Sequence, residues 1–324
     1  MHVAAKFGLR KRNTYVECYA SQVGSTVTGR DSRKAEPFGA RYIFSTDGVI
    51  IMEDLTPLGF RMVNRGVGLD LAHCLVVMRR LATFHAASVI LYQQDPECMT
   101  PFLESLFSES VNEKQFQQMI SGLMKRVRVE VETWPDFSHF ARKLRALEKD
   151  VLGRMCRGMR RDDKAFNVLN HGDAWKNNML FRYSDTGQPE SVIFVDYQLS
   201  HLTSPAVDLR KFIYTSPTED VRMRHENTLL QEYHTALCEA LGALGYSQKL
   251  ITLEELRADY DSRAIMGLIY VSTALPIIMT DSHPGWSIEV SLQDDAPPCL
   301  TFSETYKTAL KRMLPIFEEQ GVFR

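Results

Sequence analysis

Apolar residues recur at helical spacing over much of the chain. From about Leu69, one stripe contains Leu71, Cys74, Leu75, Met78, Ala82 and His85. Residues three or four positions apart lie on one face of a helix, so this stripe predicts an amphipathic helix. Similar stripes predict helices through roughly 112–132 and 136–158. The chain is predicted to be helical again from about Asp220, ending with a helix over 305–319.

Alternating or β-branched runs mark the strands. The runs 42–44 and 49–52 flank the turn Thr46-Asp47-Gly48, and such an Asp-Gly turn predicts a hairpin. Residues 166–169 predict a short strand, and 179–181 with 191–195 predict a second hairpin. Because the strands and helices occur in separate runs and do not alternate as βαβ units, the sequence predicts an α+β fold.

Length and composition are ordinary for a soluble globular protein. The chain has 324 residues, of which 24% are charged and 44% hydrophobic, with a formal net charge of -2. This balance argues against nucleic acid or a membrane as a partner. The six cysteines contain no Cys-x-x-Cys pair, which argues against a zinc ribbon. Without a signal peptide or an apolar run long enough to span a bilayer, a cytoplasmic location is expected.

Residues suited to phosphoryl transfer cluster around the second hairpin. His171-Gly-Asp173 and Asn178 lie in the loop before it, and Asp196 follows its second strand. Phosphoryl transfer from ATP needs a carboxylate beside the attacking hydroxyl and oxygen ligands that hold Mg²⁺ against the phosphates. Asp173 suits the first role, and Asn178 and Asp196 suit the second, because a hairpin brings its strand ends together. In the alternative interpretation, these residues only cap a loop and a helix.

These motifs resemble the aminoglycoside phosphotransferase/choline kinase superfamily, whose catalytic loop carries His-x-Asp and a downstream Asn. More narrowly, they resemble the ecdysteroid kinase-like (CHK kinase-like) family, in which an aromatic residue and Gln follow the metal-binding Asp, as in Asp196-Tyr-Gln198. Segment 50–60 resembles the hinge between lobes, 81–88 a helix end carrying His, and 205–209 the segment after the metal site. The resemblance runs from about Pro37 to the C terminus and implies a protein-kinase-like, two-lobed fold.

The resemblance also implies roles and cofactors. Asp173 is expected to be the catalytic base, and Asn178 and Asp196 are expected to bind Mg²⁺. Main-chain atoms near Glu53 and Leu55 are expected to hold the adenine of ATP.

Three further residues are expected to support the site. Asp208 is expected to anchor the catalytic loop, and His171 to pack and hydrogen-bond under it. His85 is expected to be a histidine with satisfied hydrogen bonds at a helix end. Trp175 and Lys176 are assigned no role.

The segment before the hinge is short for this fold. Such kinases place a glycine-rich loop, a strand Lys and a helix Glu there, whereas only about 50 residues precede the hinge here. Lys6 and Glu17 are the candidates for the Lys–Glu pair at the nucleotide. The expected domains are an incomplete, β-rich N-lobe over 1–53 and a mostly helical C-lobe over 54–324. Two expectations follow: the chain is a truncated kinase, or it is a short protein that binds nucleotide poorly or not at all.

The favoured function is ATP- and Mg²⁺-dependent phosphorylation of a hydroxyl group on a small hydrophobic molecule. The resemblance implies an ecdysteroid-like steroid or a hydroxylated xenobiotic as the acceptor. One alternative is a choline- or aminoglycoside-type kinase, which needs an acidic or aromatic pocket, and Asp294-Asp295 is only a weak sign of one. The other is a catalytically silent, kinase-like protein that binds a lipophilic ligand. The sequence does not predict the oligomeric state.

Overall fold

The computed structural model describes residues 38–46, 49–64, 66–103, 113–279 and 302–324. It divides the chain into two compact units, Met1–Ser105 with Arg161–Tyr260, and Leu106–Arg160 with Asp261–Arg324. Lys6, Glu17 and Asp294-Asp295 lie outside the described residues. Most of the segment 1–53 does so too, and the predicted lobe boundary therefore stays a prediction.

The strands of the described residues all lie in the first unit. They are β1 (Tyr42–Ser45), β2 (Ile50–Met52), β3 (Arg61–Met62), β4 (Val168–Asn170), β5 (Met179–Tyr183), β6 (Pro189–Phe194) and β7 (His201–Thr203). They form the antiparallel pairs β1–β2 and β4–β7 and the antiparallel sheet β3–β5–β6. Both predicted hairpins are confirmed, and the strand predicted over 166–169 is β4, which begins two residues later. The short strands β3 and β7 were not predicted.

The helices account for most of the remaining described residues. They are α1 (Leu71–Gln94), α2 (Glu113–Glu132), α3 (Ser138–Glu148), α4 (Val151–Met159), α5 (Ala206–Thr215), α6 (Glu219–Arg224), α7 (Glu226–Ala243), α8 (Leu253–Ser262), α9 (Ala264–Thr273), α10 (Leu275–Ile278) and α11 (Glu304–Glu319). The helices predicted from about 69, over 112–132 and over 305–319 are confirmed as α1, α2 and α11.

Helix α1 is the central helix of the first unit. It begins after Asp70, whose Oδ1 accepts a hydrogen bond from the His73 N–H at 3.0 Å, which is N-terminal capping. It packs against α7, β4 and β6. The expectation that no apolar run is long enough to span a bilayer is wrong, because α1 is long and apolar enough by length and composition, although most of it is buried inside the protein. The core helix of a soluble protein can have the same length and apolar composition, so the expected absence of a membrane partner stays a prediction.

The single helix predicted over 136–158 is wrong, because the chain forms two helices, α3 and α4, that are separated at Lys149 and Asp150. Asp150 leaves the helical conformation, with φ -135° and ψ 18°, and its carboxylate binds Arg157 at 2.6 Å. A Cβ atom at Gly153 would contact that carboxylate. The break leaves the apolar positions of the stripe buried on both sides of it: Phe140, Leu144, Leu147, Val151 and Met155.

The second unit is built from helices. Helix α2 packs against α3 and α4, and α9 packs against α2, α4 and α11. The Tyr306 hydroxyl of α11 donates a hydrogen bond to the Val271 carbonyl of α9 at 3.1 Å, and both groups are buried. The apolar run 267–279 is interrupted between α9 and α10, just before Pro276. This interruption follows from the missing N–H and the ring of proline.

Candidate active site

The catalytic loop of residues 171–178 connects β4 to β5, and Asp196 follows β6. In the β5–β6 hairpin, Met179 lies opposite Phe194. The Val195 N–H donates to the Asn178 carbonyl at 3.0 Å, which extends this pairing by one step. The hairpin therefore brings Asn178 and Asp196 to the same end of the sheet, as the strand pattern predicts.

The Asp173 carboxylate is held by three side chains. Its Oδ2 accepts hydrogen bonds from Asn178 Nδ2 at 3.0 Å and from the Trp175 indole N–H at 3.1 Å. Its Oδ1 lies 2.9 Å from Lys211 Nζ on α5. These contacts give the carboxylate one orientation, which a general base requires.

Asn178 and Asp196 offer the oxygen atoms that suit a magnesium ion. The Asn178 amide nitrogen binds the carbonyl and the carboxylate of Asp173, both at 3.0 Å, so its amide oxygen is the atom suited to a cation. The described residues contain no group of three or more His, Cys, Asp and Glu that could hold a metal. Two ligands still fit Mg²⁺, which is usually bound by one or two carboxylates together with substrate phosphates and water.

Asp196 has two unusual features, a left-handed backbone conformation and a raised pKa. Its φ of 67° is the one positive φ of a non-glycine residue in the described part of the chain. Such left-handed conformations cost energy and cluster at functional sites. Burial raises the pKa of Asp196 above its ordinary value, and the nearby charge of Asp173 raises it further. A cation at Asp196 would oppose both effects, which agrees with a metal ligand.

Asp208 lies under the catalytic loop and binds its backbone. The side chain is fully buried, and its two oxygens accept hydrogen bonds from the N–H groups of His171 at 2.6 Å and Gly172 at 2.9 Å. The Oδ2 atom also lies 3.2 Å from His85 Nε2. Asp208 thus connects the loop to both α5 and α1.

The charge state of this buried cluster follows from its contacts. Burial raises the pKa of Asp208, but hydrogen bonds from His85 and from the Gly172 N–H act against burial, and the pKa lies below its ordinary value. Burial lowers the pKa of His85 more than Asp208 raises it. Asp208 is therefore ionised and His85 neutral, with Nε2–H donating to Asp208 and Nδ1 accepting from the Tyr233 hydroxyl at 2.7 Å.

His85 was predicted at a helix end, and this position is wrong. It lies inside α1, nine residues before the last residue of the helix, Gln94. The helix continues because residues 86–91 contain no glycine or proline and are mostly apolar. The histidine has hydrogen-bond partners on both ring nitrogens, as expected.

His171 is fully buried and uses both ring nitrogens within the chain. Its Nδ1 accepts from the Asp173 N–H at 3.2 Å, and its Nε2 donates to the Val195 carbonyl at 3.1 Å. The ring packs against Tyr197, with 4.4 Å between the centroids. His171 thereby connects the catalytic loop to the segment that carries Asp196.

Gly172 gives a test of the loop geometry. Its φ is 79°, and a Cβ atom would lie 2.0 Å from the Leu199 carbonyl oxygen. Gly172→Ala is expected to lower the free energy of unfolding by roughly 2 kcal/mol or more, because a strained φ and a steric clash combine. Denaturant unfolding monitored by circular dichroism measures this change.

Gly187→Ala is the matched control. Gly187 has nearly the same φ, 78°, but no atom lies within 4 Å of its Cβ position. The control should cost only about 1 kcal/mol, from the backbone conformation alone. Equal losses for the two variants would contradict the close approach of the loop to Leu199.

The predicted hinge runs beside the β3–β5–β6 sheet. Leu55 is buried in a cluster with Ala40, Phe60 and Ile193. The Glu53 N–H already donates to the Arg41 carbonyl at 2.8 Å, and the Leu55 carbonyl accepts from the Phe60 N–H at 3.3 Å. We expect the Glu53 carbonyl and the Leu55 N–H to be the main-chain atoms that bind adenine. Their role stays a prediction.

Two lysines near the loop were given no role from the sequence. Lys211 binds Asp173, and helical spacing could have placed it on the face of Asp208, three residues earlier. Lys176 is only 3% exposed, its Nζ donates to the Val67 carbonyl at 2.8 Å, and burial lowers its pKa. Lys176 therefore contributes to holding the loop against residues 67–69.

Comparison with known proteins places these observations in a family. A model of the ecdysteroid kinase-like family matches residues 18–246. This match confirms the resemblance drawn from the motifs and the predicted α+β, kinase-like, two-lobed fold class. No curated protein matches the sequence.

Solved structures of small-molecule kinases are similar at low identity. Choline kinase from Cryptosporidium parvum is 14% identical, with a TM-score of 0.46, over 95% of this chain and 79% of that chain. Ethanolamine kinase from Plasmodium vivax is 14% identical, with a TM-score of 0.42, over 96% and 74%. An aminoglycoside phosphotransferase from Alicyclobacillus acidocaldarius is 12% identical, with a TM-score of 0.36, over 95% and 81%. At this distance none of them identifies a substrate.

Proposed function

Because the chain belongs to the ecdysteroid kinase-like family, we propose that it is a small-molecule kinase that transfers the γ-phosphoryl group of ATP to a hydroxyl group. The observation that carries this proposal is the arrangement of three polar residues at one end of the β5–β6 hairpin. Hydrogen bonds fix the Asp173 carboxylate there, and Asn178 and Asp196, whose side chains carry oxygen atoms, lie at the same end of the hairpin. These are the parts that phosphoryl transfer needs from a protein.

In this mechanism Asp173 orients the acceptor hydroxyl and accepts its proton. The hydroxyl oxygen forms a bond to the γ-phosphorus while the bond to the β,γ-bridging oxygen breaks, which releases ADP. Asn178 and Asp196 would hold Mg²⁺, which supplies positive charge to the phosphates. Positioning supplies most of the rate in such reactions, so the hydrogen bonds that fix Asp173 are part of the mechanism.

The proposed acceptor is a small hydrophobic molecule with a hydroxyl group. The family description supports an ecdysteroid-like steroid first, and a hydroxylated xenobiotic is the second class. A hydrophobic acceptor differs from choline or an aminoglycoside in carrying no positive charge. A kinase for a cationic acceptor would need an acidic or aromatic cage, whereas here the cation Lys211 of α5 lies beside Asp173.

A phosphotransfer screen tests the proposal. The purified chain is incubated with Mg²⁺ and γ-labelled ATP together with ecdysteroids, other hydroxylated sterols, hydroxylated xenobiotics, choline and ethanolamine. We expect labelled product from at least one neutral hydroxyl compound and none when Mg²⁺ is chelated. Transfer only to choline or ethanolamine would contradict the acceptor class. Binding of a lipophilic compound without any transfer would support a silent binding protein instead.

A further inference from the structure

Lys211 binds the carboxylate that the proposed chemistry uses as its base. Its Nζ lies 2.9 Å from Asp173 Oδ1, and the two side chains are 12% and 15% exposed. The loop's own side chains, Asn178 and Trp175, bind the other oxygen, Oδ2. Lys211 therefore holds the carboxylate oxygen that the side chains of the loop do not bind.

Helix α5 holds the catalytic loop at two points. In its first turn, Asp208 accepts hydrogen bonds from the N–H groups of His171 and Gly172. Lys211 lies three residues further along, and residues at that spacing share a helix face. The same face of one helix therefore fixes the backbone of the loop through Asp208 and the side chain of Asp173 through Lys211.

A contribution to the stability of the fold does not by itself explain the ion pair between Lys211 and Asp173. Removing two charges from water costs much of what their attraction returns, so a mostly buried ion pair such as this one adds little net stability to the fold. A role in catalysis explains the ion pair better, because a misplaced general base lowers the rate of phosphoryl transfer steeply. A cation at this position would also oppose the mutual repulsion of Asp173 and Asp196.

We propose that Lys211 is a positioning residue that holds the Asp173 carboxylate in place for phosphoryl transfer. This inference rests on the proposed function and adds a residue to its machinery. Lys211 acts through Asp173 and need not contact the acceptor. Its removal should therefore lower kcat and leave the binding of ATP nearly unchanged.

Lys211→Met tests the role, since methionine keeps most of the side-chain length and removes the charge. We expect kcat to fall on the order of tenfold to a hundredfold, with the KM for ATP changing less than about threefold. Lys211→Arg keeps a cation in reach of the carboxylate and should recover a large part of kcat. Lys249→Met is the matched control, because Lys249 also pairs with a carboxylate, Glu255 at 2.7 Å, in the same unit.

A spectroscopic readout separates positioning from a general loss of structure. The Trp175 indole N–H donates to Asp173 Oδ2 and therefore reports on that carboxylate. The chain has three tryptophans, so a ¹⁵N–¹H correlation spectrum shows few indole N–H signals. The Trp175 signal is the one that is missing from the spectrum of Trp175→Phe. We expect Lys211→Met to shift the Trp175 signal and Lys249→Met to leave it unchanged.

Each outcome decides the inference. A Lys211→Met variant that retains more than half of the wild-type kcat overturns it. So does a lower kcat with an unmoved Trp175 signal, because the effect then does not pass through Asp173. A wild-type chain that transfers phosphate to no acceptor overturns the proposed function and the role of Lys211 with it. The wild-type assay identifies this last case before any variant is compared.

Discussion

Asp173→Asn is expected to lower kcat about a thousandfold, because a positioned general base contributes roughly a hundredfold to ten-thousandfold to the rate. The asparagine keeps the shape of the side chain, and its oxygen can still accept hydrogen bonds from Asn178 and Trp175, while its NH₂ group replaces the oxygen that contacts Lys211. It cannot take a proton from the acceptor hydroxyl. Steady-state kinetics with the best acceptor from the phosphotransfer screen measures kcat, and calorimetry measures the Kd for MgATP. The Kd should change little, since Asp173 is not among the proposed Mg²⁺ ligands.

The control for this variant is Asp185→Asn in the turn between β5 and β6. Asp185 is exposed and lies outside the catalytic loop, so its replacement should leave kcat unchanged. If Asp173→Asn retained a tenth or more of the wild-type kcat, Asp173 would not be the base. The carboxylate of Asp196 would then have to be considered for that role.

Asp208→Asn is expected to lower the free energy of unfolding by about 3 kcal/mol or more. The carboxylate accepts hydrogen bonds from the N–H groups of His171 and Gly172 and from His85, all in a buried site. An asparagine would turn its NH₂ group toward one of these donors, and two buried donors would then face each other. Chemical denaturation monitored by circular dichroism measures the loss.

Asp185→Asn again serves as the control and should stay within about 0.5 kcal/mol of the wild type, since surface substitutions are usually neutral. The variant Asp208→Asn should also lose kcat, because the loop backbone would no longer be held. If its unfolding free energy fell by less than about 1 kcal/mol, Asp208 would not be the residue that anchors the loop.

Much of the secondary structure could be predicted because its signals are local. The apolar stripe of α1 and the Asp-Gly sequence before β2 lie within a few residues of the elements that they specify. Strand β3 has two residues and pairs with β5 more than a hundred positions away, so no periodic pattern can mark it. The break at Lys149 and Asp150 lies inside an apolar stripe whose positions are buried on both sides of it, so the stripe does not mark the break.

The residues of the candidate site also differ in whether local sequence could predict them. Asp173 and Asn178 share one short loop, and Asp196 follows in a hairpin, so their spacing in the sequence is enough to group them. Lys211 is 38 residues from Asp173 and stands next to Arg210, and two adjacent basic residues on a helix are typical of a solvated surface. Their actual surroundings differ: Arg210 is fully buried against the Tyr260 carbonyl at 2.8 Å. Only the packing of α5 under the loop reveals the role of each side chain.

Calorimetric titration of MgATP into the wild-type chain and into Asp196→Asn tests the central claim most directly. The account predicts that the wild type binds ATP in the presence of Mg²⁺ and that chelation of Mg²⁺ weakens the binding. It also predicts that Asp196→Asn loses this dependence, because the charged ligand of the metal is gone. A wild-type chain that binds no ATP, or an Asp196→Asn variant with an unchanged Mg²⁺ dependence, would contradict a kinase centre built on Asp173, Asn178 and Asp196.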